Sequence, residues 1–148
     1  MRYLLDTGIL VRLLHRSDPL HSVVRDAVRS LSSKRHHFVT STQNIGEFWN
    51  VCTRPAAARG GFGLEPDEVM RRVRLLERFI TVLREPESAY GKWKALVIAH
   101  QVIGKQVHDA RIAALMSAYR IKRIVTLNSS DFLRYQQITA VTPQEAVS

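Results

Sequence analysis

Residues 1–14 read MRYLLDTGILVRLL, and this stretch decides the fold. Tyr3–Leu5 is a short apolar run with the character of a buried strand. Asp6-Thr7-Gly8 interrupts it, and Ile9, Leu10, Leu13 and Leu14 then recur at the spacing of a helix face. A buried strand feeding directly into a helix is how an α/β unit begins. The pattern returns further along. Phe38–Thr40 fits a second strand, followed by a helix from about Thr42 to Cys52. Thr81–Leu83 fits a third strand, with Pro86 starting a helix after it. Ile124–Leu127 is a strong strand candidate and Ile138–Val141 a weaker one. Between them, Asp18-Pro19 looks like a helix start, and Val23, Val24, Ala27, Val28 and Leu31 continue that helix at helical spacing. Pro66 opens another, with Val69, Val73, Leu76 and Ile80 on one face. Asp109–Tyr119 is amphipathic, and residues 54–63, RPAAARGGFG, are the most loop-like segment. Short apolar strands alternating with helices predict an α/β fold on a mainly parallel sheet of four to five strands. One domain, 1–148, is expected from the length.

Composition bounds the chemistry. Of 148 residues, 45% are hydrophobic and 24% charged, ordinary for a globular chain. Lys plus Arg number 22 against 13 Asp plus Glu, a net charge of +9, and 17 of the 22 cations are Arg. That excess points to a polyanion, nucleic acid ahead of a membrane surface, although base composition of a genome also enriches Arg. A single cysteine, Cys52, excludes an internal disulfide framework and any multi-cysteine metal site. The N-terminal apolar run is broken by Asp6 and Arg12, so it does not read as a signal peptide, and no stretch is long enough to cross a membrane. A soluble, cytoplasmic protein is expected. Six histidines form no zinc-ligand pattern.

The 13 acids sort into two groups. Asp18, Glu65, Asp67, Glu68, Glu85 and Glu87 cluster at proline-marked helix starts, where negative charge offsets the helix dipole. Asp26 and Glu77 lie beside arginines, and Glu145 belongs to a tail. Asp6, Glu47, Asp109 and Asp131 remain. Each has a structural alternative: Asp6 as an N-cap, Glu47 on a solvated stripe with Gln43, Asn50 and Arg54, Asp109 compensating a helix dipole, and Asp131 in a turn after Asn128-Ser129-Ser130. Together they suggest more. Asp6 ends the first strand and Asp131 follows the strand ending at Leu127, and ligands of parallel sheets bind outside the carboxyl ends of strands. Carboxylates gathered there repel one another unless a cation lies between them, and an oxygen-rich set favours Mg²⁺ or Mn²⁺ over Zn²⁺.

The order of four motifs, YLLDTGIL, QNIGEFWNV, HDARIAALM and IVTLNSSDF, resembles the PIN domain, and within it the VapC-type ribonuclease toxins of bacterial toxin–antitoxin pairs. The resemblance runs from Met1 to about Val141. It implies an α/β/α sandwich, cleavage of RNA dependent on Mg²⁺ or Mn²⁺, a cognate antitoxin and a homodimer. By position it implies catalytic and metal-binding roles for Asp6, Glu47, Asp109 and Asp131, with Thr7, Thr126 and Asn128 supporting them. Gly8 departs from the Ser or Asn of many relatives, and Asn128 stands where some PIN enzymes carry a further acid. Arg54 and Arg59 in the loop, and Arg71 and Arg74 in the helix opened by Pro66, are candidates for holding RNA phosphates. Two other readings stay open: an RNA-binding module of this type without catalysis, and a non-toxin PIN nuclease of RNA processing. Asp6-Thr7-Gly8 also spells the aspartic-protease triplet, but that enzyme is all-β and pairs two such triplets.

Overall fold

The structure is a computed structural model that describes residues 1–57 and 60–148. Its elements run β1 (Arg2–Leu5), α1 (Thr7–Leu14), α2 (His21–Ser33), β2 (His37–Ser41), α3 (Thr42–Thr53), α4 (Pro66–Leu76), β3 (Ile80–Leu83), α5 (Ser88–Ala99), α6 (Gln106–Ala118), β4 (Arg123–Val125), a 3₁₀ turn (Ser129–Phe132), β5 (Thr139–Val141) and α7 (Pro143–Val147). The strands form one sheet in the order β3-β2-β1-β4-β5, parallel throughout. This is the parallel α/β architecture that the alternation of runs predicts.

Strand alternation divides the core into two layers. Tyr3 and Leu5 face one side of the sheet with Phe38, Ile80 and Val125, where α1, α2, α3, α4 and α7 cover them. Leu4 faces the other side with Val39, Leu83 and Ile124, beneath α5, α6 and the 3₁₀ turn. Leu4, Leu5, Ile9, Leu10 and Ile124 are wholly buried, each contributing about 1.5–3 kcal/mol of apolar transfer. The result is a three-layer α/β/α sandwich. The strand order reverses at β1, with β2 on one side and β4 on the other, so a crevice opens between the carboxyl ends of β1 and β4.

Four sequence expectations need correction. Ile80 continues the 3.6-residue spacing of α4 but begins β3, because the chain leaves the helix after Leu76. Asp18-Pro19 does not start α2, which begins at His21; the Asp18 carboxylate instead accepts from the Leu20 N–H at 2.8 Å and pairs with Arg12 at 3.8 Å. β4 stops at Val125, which leaves Thr126 and Leu127 beyond the strand. Glu145 is no tail residue: with Thr142 it forms the capping box of α7, which packs against α2. No helix among the described residues is long and apolar enough to cross a membrane.

Candidate active site

Asp6 leaves β1 in extended conformation and caps α1, so its cap role is real, but capping uses only part of the carboxylate. Oδ1 accepts from the Thr7 N–H at 2.9 Å and from Asn44 Nδ2 at 3.2 Å, while Oδ2 accepts from the Thr126 hydroxyl at 2.7 Å. The Thr126 bond spans the crevice between β1 and β4. A hydroxyl has one proton to give. Thr126 Oγ1 also accepts from the Asn128 N–H at 3.1 Å, so its own proton is directed at Asp6. Asn128 thereby supports the site through its backbone, and its carbonyl accepts from the Asp131 N–H at 3.1 Å.

Thr7 repeats this logic. Its hydroxyl accepts from Asn44 Nδ2 at 3.0 Å and donates to Glu47 Oε2 at 2.7 Å. Gln43, one turn before Glu47 on α3, donates Nε2 to Glu47 Oε1 at 3.1 Å and to the His108 carbonyl at 3.1 Å. The polar stripe of α3 is therefore turned inward at Gln43 and Glu47. Asp109 sits in the first turn of α6, and Asp131 in the 3₁₀ turn after β4.

The structure thus brings Asp6, Glu47, Asp109 and Asp131 toward one another, and their charges act on each other. Burial pushes the Asp109 carboxyl up to about 6; Asp131, Asp6 and Glu47 push the same way, and His108 opposes them. Burial likewise raises Asp6 above its ordinary value, against the hydrogen bonds from Thr126, Thr7 and Asn44. Among the described residues, none of the four acids has a salt-bridge partner; the ion pairs engage Asp18, Asp26, Glu68 and Glu85 instead.

Asn44 is the residue that sequence reasoning missed. It is wholly buried, and the Ser41 hydroxyl donates to its Oδ1 at 2.6 Å, which turns Nδ2 toward Asp6 and Thr7. A signal exists: Asn44, Phe48 and Cys52 follow one another at i, i+4 on the buried face of α3, and an amide on such a face needs partners.

Of the arginine candidates, Arg71 and Arg74 lie on α4, whose Arg72 donates to the Leu14 carbonyl at 3.1 Å, at the end of α1 opposite Asp6. Arg71 is bound to Glu68, with Nη2 at 2.6 Å from Oε2. Arg54 ends α3, at the far end of that helix from Asn44. Arg59 lies outside the described residues.

These donors fit a hard divalent cation. They are carboxylate oxygens, mutually repelling, and held by neutral hydroxyls and amides that leave their charge intact. No group of three or more Asp, Glu, His or Cys among the described residues forms a ready-made cage. An ion here would draw on water or substrate for part of its shell, as Mg²⁺ ordinarily does.

Sheet order and acidic crevice define the class: a parallel α/β protein with carboxylates gathered at the topological switch point. The chain belongs to the PIN domain family, whose model matches residues 3–137. Comparison with curated proteins finds no match. Solved structures with the same fold include the VapBC-1 complex of nontypeable Haemophilus influenzae, 22% identical over 97% of this chain and 99% of that one, with a TM-score of 0.68. VapBC2 of Rickettsia felis, bound to a promoter DNA fragment, has a TM-score of 0.70 at 14% identity over 96% and 98% of the two chains. Mycobacterium tuberculosis VapC20, a sarcin-ricin loop cleaving toxin, has a TM-score of 0.60 at 19% identity over 82% and 86%.

Proposed function

We propose that the chain is an endoribonuclease dependent on Mg²⁺ or Mn²⁺, the toxin of a toxin–antitoxin pair acting on cytoplasmic RNA. The observation that carries this reading is the meeting of Asp6, Glu47, Asp109 and Asp131 at the switch point, without a cationic partner among the described residues, in a chain of net charge +9. Family membership supports the nuclease class. The antitoxin partner rests on structural neighbours that are VapBC complexes.

Asp6 and Asp109 would hold the metal most directly, with Glu47 and Asp131 completing the negative field. When bound, the ion supplies a nucleophilic water of lowered pKa and offsets charge on the phosphorane and leaving oxygen. The chain's own part is positional. Thr126 and Asn44 fix both oxygens of Asp6, and Thr7 and Gln43 fix both oxygens of Glu47. Self-association as a homodimer is part of the same proposal.

The test is incubation of the pure protein with cellular RNA, with and without Mg²⁺ or Mn²⁺, beside Asp6→Asn and Asp109→Asn. Metal-dependent cleavage lost in both variants is the expected result. Binding without cleavage, equal in all three proteins, would sink the enzyme reading in favour of a binding module. Growth arrest on expression, relieved by a small co-encoded protein, would support the toxin assignment over an RNA-processing role.

A further inference from the structure

A cavity of about 340 Å³, lined by Glu85, Tyr90, Trp93, Val107, His108 and Arg111, lies between α5 and the first turns of α6. Its size suits a small planar group. It adjoins the acidic centre through one side chain, since Gln43 donates to both Glu47 and the His108 carbonyl. One residue along a helix turns the side chain by about 100°. His108 therefore lines the cavity while Asp109, the next residue, meets the other acids.

The aromatic residues of this cavity are held for stacking. Tyr90 and Trp93 are one helical turn apart on α5, with planes 19° from parallel and centroids 6.3 Å apart. The indole N–H donates to the Val107 carbonyl at 2.9 Å, which fixes the plane of Trp93 and satisfies its only polar atom. Tyr90 is 65% exposed, so its ring is open to a stacking partner from solvent. One cation accompanies the rings: Lys94 Nζ lies 4.4 Å from the Tyr90 centroid, whereas Arg111 in the lining is already paired with Glu85 at 2.7 and 2.8 Å. An apolar protein segment would match the rings but not the Lys94 charge. A nucleotide matches both, because its base stacks and its phosphate meets Lys94.

We infer that this cavity takes one unpaired nucleobase of the RNA, stacked on Tyr90 and Trp93 beside the nucleotide whose phosphate faces the acids. The inference rests on the nuclease reading for its substrate class. A duplex cannot offer such a base, so the subsite selects single-stranded or looped RNA near the scissile bond.

The test separates the two readings. In an Asp109→Asn background, which leaves RNA intact, anisotropy with a labelled single-stranded octaribonucleotide gives Kd for the chain with Tyr90 in place, for Tyr90→Ala and for Tyr90→Phe. Tyr90→Ala should weaken binding roughly tenfold, while Tyr90→Phe keeps the ring and the affinity. Binding to the same sequence as a duplex should be unaffected by either change. In the otherwise unchanged chain, Tyr90→Ala should raise KM for the octamer and leave kcat alone. Because Tyr90 is exposed, its replacement leaves the core intact. Single-strand affinity that is the same with and without Tyr90→Ala, or an equal loss on duplex, overturns the subsite alone. Failure of the Asp109→Asn chain to bind any RNA overturns the nucleic-acid reading along with it.

Discussion

The two ends of α1 treat negative charge in opposite ways. At the C-terminal end, Asp18 lies 3.8 Å from Arg12, and Arg72 joins Glu68 to the Leu14 carbonyl and His15. There, the described acids have arginine partners. At the N-terminal end, among the described residues, Asp6 and Glu47 receive hydrogen bonds only from threonine, asparagine, glutamine and backbone groups. Neutral donors orient a carboxylate without cancelling its charge. The first end is built for stability, whereas the second keeps a charge in place at a cost to stability. Unmet repulsion at a sheet's carboxyl edge is evidence for a cation-binding role in a way that a count of acids is not.

The largest effect that tests this contrast is on catalysis. Asp6→Asn should leave the fold in place, since Asn caps a helix as well as Asp, yet lower metal-dependent RNA cleavage on the order of 10³-fold. Single-turnover cleavage assays with a matched thermal melt would separate the two quantities. Cleavage that survives Asp6→Asn would erase the distinction between the two ends.

Asn44→Ala comes next. It removes the donor shared by Asp6 and Thr7 and leaves the Ser41 hydroxyl without its acceptor, which should cost about 1–3 kcal/mol of stability. Cleavage by the protein that remains folded should fall roughly 10–100-fold, as when the supports of a metal ligand are removed. Denaturant unfolding and a kcat measurement check the two parts.

pH acts on the same end. Folded Asp109 keeps its proton up to about pH 6, against an ordinary value of 3.8 when unfolded, so the folded chain binds more protons between those limits. Stability of the metal-free protein should therefore fall as pH rises from about 4 to about 6, and remain lower above that. Because Asp109 is half-buried, the loss should be on the order of 1 kcal/mol after screening. Melts in buffers without divalent ions, compared with Asp109→Asn, would show it; the variant should have a shallower slope, with the raised Asp6 carboxyl supplying what remains.

At the arginine-paired end, Arg72→Ala should be the mildest. Loss of its bond to the Leu14 carbonyl should cost about 1 kcal/mol, roughly 2–4 °C in Tm, with cleavage per folded molecule unchanged. A fall in kcat at constant stability would extend the active centre to a region that the contrast excludes from it.

The sheet is legible in the sequence because its inner strands β1, β2 and β4 are buried on both faces and stand out as short apolar runs, whereas the half-exposed edge strand β5 reads more weakly. Asp6 and Asp131 are legible because those runs end beside them. Periodicity alone misplaces Ile80, whose spacing continues α4 through the turn at residues 77–79, where no Gly or Pro marks the end of the helix. α7 escapes a reading by apolar runs, even though Thr142 and Glu145 carry the spacing of a capping box. The role of Asn44 is hidden because its partners, Asp6 and Thr7, lie far away in sequence and meet it only when α1 packs on α3. The same limit applies to Trp93 and Val107, whose bond joins two helices. The arginines show the converse: their abundance is plain, but nothing in the chain order tells which stand near the acids.

Calorimetric titration of the protein with Mn²⁺ at pH 7, beside Asp109→Asn, tests the central claim most directly. If the four acids form a cation centre, the unaltered chain binds Mn²⁺ and melts higher with it, and Asp109→Asn binds at least about tenfold more weakly. Equal affinity in the two proteins, or no binding by either, would contradict the account.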